Sequence, residues 1–456
     1  MEQRVVQRPG MELTKMNNKT NAIIYQLALR TFTPEGTLRA AATLLPHIAS
    51  LGVDILYVCP FFAEEEDTDR ITWSERQKKS ETNNPKNPYK IADYFNVDPE
   101  FGTNEDLKIF VRKAHENSLL VMFDLVYLHC GRSAVFIKEH PDLVIRNEDG
   151  TVWIADRWPF ARLNYQNAEL RKYLLQNMQT LLDEFECDGF RCDVGDSVPL
   201  DFWRDSFAKL KERHADLVTL NEGINPEYIQ EVFDMGYKYD WNRLMIDIFA
   251  NNTPAYELKN TYEKEKMQYG ENIAKLIRTI DTHDVASDAG LNRNEIIMTS
   301  RGVEAALVIT NTYDGVSFLW NGYELCDDAE NNMFSNRFYG KRSAMNWSKA
   351  FTEDGIRRAG FIKEIHRLHH ACDAIVNGRI HWVDNSSPKE VVSYVKASDK
   401  QQLLIVVNTK NICVNAIVNA DISNAKTIMQ SGLADDSLLN KTLSFKPYGY
   451  LIAELG

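Results

Sequence analysis

The 456-residue sequence lacks a Cys-x-x-Cys pair, a Gly-x-Gly-x-x-Gly turn and a Walker-type phosphate loop. Its seven cysteines, at Cys59, Cys130, Cys187, Cys192, Cys326, Cys372 and Cys413, are odd in number and scattered. That argues against a disulfide framework and fits reduced thiols in a cytosolic protein. No apolar run approaches the roughly 18 residues of a membrane span. Positive charge is also short: 52 Lys and Arg stand against 65 Asp and Glu, a net charge of -13. A nucleic-acid partner needs a basic face, so none is expected. The polar segment 1–20 has no apolar stretch of the secretory kind, which predicts a disordered tail and a cytoplasmic location. Repeats and low-complexity tracts are absent.

What the chain does have is a regular alternation of strand-like and helix-like segments. IIYQLAL reads as a first strand, followed by an amphipathic helix over 38–51 and a buried strand in VDILYVCPFF. Thr103 with Asp106 three residues on forms a capping-box signature for the helix up to Asn117. A third strand spans 119–126. Leu170, Tyr173, Leu174, Met178, Leu181, Leu182 and Phe185 make one helical face behind a predicted N-cap at Asn167. A fourth strand holds Gly189–Asp193, a helix covers about 200–214, and a fifth strand ends at Glu222. Strands near 236–241 and 276–281, a helix over 299–312 and a strand Val316–Trp320 complete eight units. Eight such units argue for a closed barrel over an open doubly wound sheet. The expected fold is α/β: a (β/α)8 TIM barrel over 21–378, a short excursion at 130–166 after strand 3, and a C-terminal antiparallel β-sandwich over 379–456. The sandwich rests on the runs EVVSYVKA, QLLIVVNTK, KTLSF and GYLIAEL. The acidic run at 64–69 reads as a solvated loop.

Four segments carry the chemistry: Asp124-Leu125-Val126-Tyr127-Leu128-His129, Gly189-Phe190-Arg191-Cys192-Asp193, Asn221-Glu222 and Asp281-Thr282-His283-Asp284. Each falls at a strand's C-terminal end, where a barrel builds its active site. Asp193 and Glu222 end neighbouring strands about 4.8 Å apart, so both reach one bond. Arg191 lies two residues before Asp193 and points to the same side. A cation there favours an ionised Asp193. A lone Asp at a strand end is usually a cap and a lone His usually a surface residue; the joint pattern is what points to function.

In order and spacing these segments resemble the alpha-amylase family, glycoside hydrolase family 13. The resemblance implies a retaining hydrolase of α-glucosidic bonds in starch-like glucans or maltooligosaccharides. In it Asp193 is the nucleophile, Glu222 the acid/base and Asp284 the holder of sugar hydroxyls, with His283 and His129 beside them. Asn87-Pro88-Tyr89-Lys90 resembles the family segment whose Tyr stacks under the cleaved sugar, which assigns that role to Tyr89. Asp124 is expected to fix local structure. The triad equally serves a transglycosylase or a sugar isomerase, since water and sugar hydroxyls use the same intermediate. An inactive carbohydrate-binding barrel would have lost a carboxylate, and a metal-dependent barrel enzyme conflicts with the fixed cation Arg191.

The sequence also departs from the family pattern. Leu128 stands where Asn is usual, Arg162-Leu163-Asn164 where Asp-Leu-Asn is usual, and Asp196-Ser197 where Lys-His is usual. Leu and Arg cannot supply the oxygen donors that hold calcium in many amylases. No metal and no cofactor are therefore expected. Val152, Trp153, Trp158 and Phe160 are offered instead as apolar anchors of the excursion. The aromatics after the eighth strand, Tyr323, Phe334, Phe338, Tyr339 and Trp347, suit lid packing or sugar stacking.

Overall fold

A computed structural model describes residues 19–155, 158–340, 343–435, 437–438 and 442–456. The predicted tail therefore lies outside the described residues up to position 18. Lys19 is already tied down: its Nζ donates to Leu217 O at 2.6 Å and to Asp234 at 3.0 Å.

Eight parallel strands form the barrel: β1 (Ile23–Leu27), β2 (Ile55–Val58), β3 (Leu120–Leu125), β4 (Gly189–Cys192), β5 (Val218–Asn221), β6 (Met235–Gly236), β7 (Ile277–Arg278) and β8 (Val316–Trp320). Each pairs with the next, and β1 pairs with β8. A bridge from Gly236 to Leu276 closes the ring between β6 and β7. Only two residues of each keep ladder geometry, and the expected strand 236–241 gives way to a helix from Tyr239.

The helices follow the apolar periodicity. They are α1 (Leu38–Ser50), α2 (Asn104–Glu116), α3 (Ala168–Asp183), α4 (Leu200–Lys211), α5 (Pro226–Glu231), α6 (Tyr239–Ala250), α7 (Thr299–Thr312) and α8 (Glu353–Ala371). The capping box at Thr103 and Asp106 and the Asn167 cap both form. Leu170, Leu174, Met178, Leu181 and Leu182 of α3 are buried, each removing about 1.5–3 kcal/mol worth of apolar surface from water.

Six C-terminal strands, β9 (Arg379–Trp382), β10 (Val391–Ala397), β11 (Gln402–Asn408), β12 (Val414–Ala416), β13 (Lys426–Leu433) and β14 (Leu443–Glu454), form an antiparallel sheet. Its last strand turns at Tyr448, whose φ is 56°. The part of β14 before the turn pairs with β12, and the part after it with β11. Leu443–Phe445 of the run KTLSF and the run GYLIAEL thus belong to one strand serving two arms. The arms share a small core of Val406, Leu404, Leu443, Phe445 and Leu451, while Tyr394, Ile405 and Ile452 of the same sheet join the barrel's core.

The acidic run at 64–69 differs from expectation. Glu64, Glu65 and Asp67 are buried. Arg30 bonds Glu64 at 2.7 Å and Glu100 at 2.8 Å, while Asp67 accepts from Lys90 at 2.8 Å and Arg132 at 2.7 Å. Burying carboxylates requires such partners; Lys90 and Arg132 lie 23 and 65 positions after Asp67 and Arg30 lies 34 before Glu64, beyond any local pattern. Among the described residues no helix is long and apolar enough to cross a membrane.

Candidate active site

Arg191, fully buried in β4, organises the centre of the barrel mouth. Its Nη1 donates to Asp124 Oδ1 at 2.7 Å, to Asp124 Oδ2 at 2.9 Å and to Asp193 Oδ1 at 3.0 Å. Its Nη2 lies 2.8 Å from Glu222 Oε2 as a charge contact. One guanidinium thus spans Asp193 and Glu222 and holds both carboxylates side by side. Tyr57 OH donates to Asp124 Oδ2 at 2.6 Å. Asp124 therefore fixes Arg191, and Arg191 fixes the pair.

The chain turns sharply after Asp193. Val194 sits at φ 43°, ψ 43°, a left-handed conformation that costs a β-branched residue of order 1–3 kcal/mol. The turn aims Val194 N–H at Glu222 Oε2, 2.8 Å away. Asp196, in place of the family's cation, then holds the loop after Glu222. It accepts from Asn221 Nδ2 at 2.7 Å, Ile224 N at 2.7 Å and Asn225 N at 2.8 Å. Gly223 is required there, because a Cβ would lie 2.1 Å from Asp196 Oδ1.

Buried polar atoms in the site without a hydrogen-bond partner include Asp193 Oδ2, His129 Nε2, Arg191 Nε, Asn221 Oδ1 and Tyr237 OH. Buried polar atoms are nearly always paired. Asp193 Oδ2 and His129 Nε2 sit at strand ends beside Glu222 and Tyr89, where a polar ligand can satisfy them. Phe160 of the excursion stacks on His129 with centroids 4.5 Å apart.

Tyr89 OH meets His283 Nε2 at 2.6 Å and reaches Asp124 Oδ2 at 3.5 Å. The His283 tautomer follows from its neighbours. His283 N–H donates to Gln26 Oε1 at 3.2 Å, so the Gln26 amide nitrogen faces Nδ1, 2.7 Å away. Nδ1 accepts, and Nε2 carries the proton toward Tyr89. Burial lowers His283 to about 4 and His129 to about 3, so both rings are neutral near pH 7. Asp284 lies 3.4 Å from His283 Nε2 and bonds Arg76.

The carboxylates separate electrostatically. Burial, then the charge of Glu222, push Asp193 well above the usual range despite Arg191. This reverses the expectation that the cation alone keeps it ionised. Burial also raises Glu222 against Arg191. Asp284 is lowered, because His283, Arg76 and Arg191 together outweigh its burial.

All seven sequence-predicted residues, Asp193, Glu222, Asp284, Arg191, His129, His283 and Tyr89, line this one region. Sequence reasoning missed Gln26, Tyr57, Arg76 and Tyr237, whose ring lies 5.6 Å from the Arg191 guanidinium. Gln26 and Tyr57 stand on the inner face of β1 and β2, where a polar residue in an apolar run was the available signal. Arg76 carried none. Of the aromatics after β8, Tyr323 and Phe334 are buried, Trp347 packs on Phe32 at 5.3 Å, and Phe338 is exposed. Of the excursion's anchors, Phe160 is buried and Trp153 and Trp158 are exposed.

Leu128 and Arg162 stand at the positions where the sequence departs from the calcium-holding pattern of many amylases. Leu128 is buried without a donor atom, and Arg162 pairs in register with His129. Among the described residues no group of three His, Cys, Asp or Glu side chains is placed to hold a metal.

The barrel, its antiparallel partner domain and the strand-end carboxylates define the alpha-amylase class of fold. The model of the alpha-amylase catalytic domain matches residues 14–154. Cyclomaltodextrinase of Bacillus sp. is 24% identical over 82% of this chain and 65% of its own length. Alpha-1,4-glucan:maltose-1-phosphate maltosyltransferase of Picrophilus torridus is 22% identical over 82% of this chain and 58% of its own. Intracellular maltogenic amylase of Bacillus subtilis is 23% identical over 83% and 62%. The chain spans 50 to 70% of the length of these and the other first curated relatives. In fold it is similar to a noncanonic maltogenic alpha-amylase from Thermotoga neapolitana, with TM-score 0.75, 22% identity, and 96% and 99% of the two chains covered. Over residues 14–154 the chain is thus similar to the alpha-amylase catalytic domain, and over nearly its whole length it has the fold of these solved neighbours.

Proposed function

We propose that the protein is a retaining glycoside hydrolase that cleaves α-glucosidic bonds of starch-like glucans or maltooligosaccharides through a covalent glycosyl-enzyme. The observation that carries the reading is the pair held by Arg191: Asp193 with an unpartnered Oδ2, and Glu222 beside it. One guanidinium spanning both carboxylates suits the roughly 5 Å separation of retaining enzymes over the wider gap of inverting ones. Asp193 Oδ2 attacks the anomeric carbon while Glu222 gives its proton to the departing oxygen, the coupled pair holding one proton between its two carboxylates. Glu222 then takes a proton from water as water displaces Asp193. Asp284, anionic throughout, and neutral His283 and His129 hold the sugar hydroxyls, with Tyr89 beneath the ring. The names of the relatives support α-glucans as the substrate class.

A second reading is favoured by the acceptor side. Ile224 and Tyr239 flank Glu222 and are exposed, a surface on which a second sugar can compete with water, giving transglycosylation. The Picrophilus relative is named a maltosyltransferase. No cofactor or metal takes part in this reading, and the unpaired cysteines fit a cytoplasmic setting. Incubation with maltooligosaccharides, isomaltose, sucrose, trehalose and soluble starch, with products separated and the first anomer read by proton NMR, tests it. The α anomer is expected first; a β anomer overturns the Asp193 assignment, and products longer than the substrate establish transfer.

A further inference from the structure

Arg76 helps hold Asp284 as an anion, and its placement gives it a further task. It lies on a five-residue helix, Glu75–Lys79, in the long connection after β2. Its Nη1 bonds Asp284 Oδ1, and its Nε and Nη2 make a bidentate pair with Asp288 at 2.9 and 2.8 Å. The bidentate fork fixes the guanidinium plane. The segment that carries it is itself held. Gln77 Nε2 donates to Asn84 O at 2.9 Å, Asn84 Nδ2 donates to Phe334 O at 3.0 Å, and Asn83 N–H donates to Tyr339 O at 3.0 Å. The segment is thus fastened to the connection after β8, and Arg76 reaches from there to the helix His283–Ala289 that follows β7.

Strand order gives this bridge a side. It links the connections of β7, β8 and β2, whereas Asp193, Glu222 and Tyr239 follow β4, β5 and β6 on the other half of the ring. The leaving group departs beside Glu222, over exposed Ile224 and Tyr239. The far end of the retained sugar consequently faces Arg76.

We propose that Arg76, clamped by Asp288, is a specificity-determining residue that ends the cleft on the side away from Glu222. A glucan must then present its non-reducing end, and internal bonds of a long chain are excluded. The inference rests on the glucan-hydrolase reading and adds chain-end action to it.

The test compares p-nitrophenyl maltoheptaoside with the same compound blocked by a 4,6-ethylidene group at its non-reducing end. Wild type is expected to cleave the free-ended compound at least about tenfold faster, a difference of about 1.4 kcal/mol in the barrier. Arg76→Ala should shrink that ratio by raising turnover of the blocked compound. Asp288→Asn, which frees the arginine without removing it, should shrink it in the same direction, and it reads the same quantity if the alanine variant does not fold. Arg76→Lys, which loses the bidentate geometry, should fall between. A merely structural role would lower both rates together and leave the ratio alone. Equal rates in the wild type, or an unchanged ratio in both Arg76→Ala and Asp288→Asn, overturn the inference while leaving the glucan reading standing. No cleavage of either compound by the wild type overturns the glucan reading itself.

Discussion

Asp67 and Asp193 are both buried aspartates beside cations, and they have opposite fates. Asp67 accepts from Lys90, Arg132 and Thr72. Although burial works against it, those partners hold it well below the ordinary range. Asp193 shares its one cation with Asp124 and Glu222, keeps Oδ2 free, and is pushed up. A satisfied buried charge serves architecture; an unsatisfied one marks where a ligand belongs. The difference between the two lies in how many donors converge to offset burial, not in residue type.

The comparison breaks most visibly through substitution of the free carboxylates. Asp193→Asn should lower turnover at least about a thousandfold, while its thermal midpoint stays level or rises because the repulsion with Glu222 is relieved. Glu222→Gln should lose turnover on glucans yet partly keep it on α-glucosyl fluoride, whose leaving group needs no proton. Kinetics paired with melting curves decide this. Either variant holding a tenth of wild-type activity breaks the catalytic assignment.

Lys90 tests the other half of the comparison. Its ammonium is fully buried, 2.8 Å from Asp67 and 5.6 Å from the Phe160 ring, tying the acidic loop to the excursion. Lys90→Met leaves Asp67 with Arg132 and should cost about 3 kcal/mol, the low end for a broken buried pair. The urea midpoint should fall with an unchanged slope. Added calcium should restore nothing, and dialysis of the wild type against a chelator should leave activity and melting unchanged. Loss of activity that calcium alone restores would show that Leu128 and Arg162 were misread.

Where a signal was local, the sequence carried it. The helix 299–312 and the strand Val316–Trp320 fall where periodicity placed them, and the seven site residues, all but Tyr89 in or following a barrel strand, converge. Where partners are distant, it did not. Glu64 and Asp67 look solvated until Arg30, Lys90 and Arg132 arrive, and nothing near Arg76 announces Asp284, 208 positions on. Strand β13 was missed because its residues are at most half-buried and do not alternate cleanly.

The pH profile sharpens the comparison from the side of rate. Burial and mutual repulsion raise the Asp193–Glu222 pair, and the two titrate as one coupled unit. The acid limb of kcat/KM should therefore lie above the ordinary carboxylate value of about 4. A limb at or below pH 4 would mean that Arg191 outweighs burial after all.

The smallest effect concerns a third kind of buried group, neutral and satisfied. His366 on α8 bonds Leu51 O through Nδ1 at 2.8 Å, and burial lowers it to about 3. Unfolded, the same ring binds a proton below about 6.5. As pH falls from that value, the unfolded chain gains a proton that the folded one refuses, so stability is lost. The slope approaches about 1.4 kcal/mol per pH unit for each such histidine. Raised carboxyls such as Glu64, at about 8, and Glu324, at about 7, act with the opposite sign: the stability they add is present at low pH and lost as pH rises through those values. Since His366→Gln leaves them in place, the difference between variant and wild type isolates the imidazole. Gln should cost little near pH 8, where an amide can still meet Leu51 O, and should lessen the loss of stability between pH 6.5 and 4. Urea titrations at a series of pH values measure it, and parallel curves for the two proteins would mean that His366 is protonated in the fold.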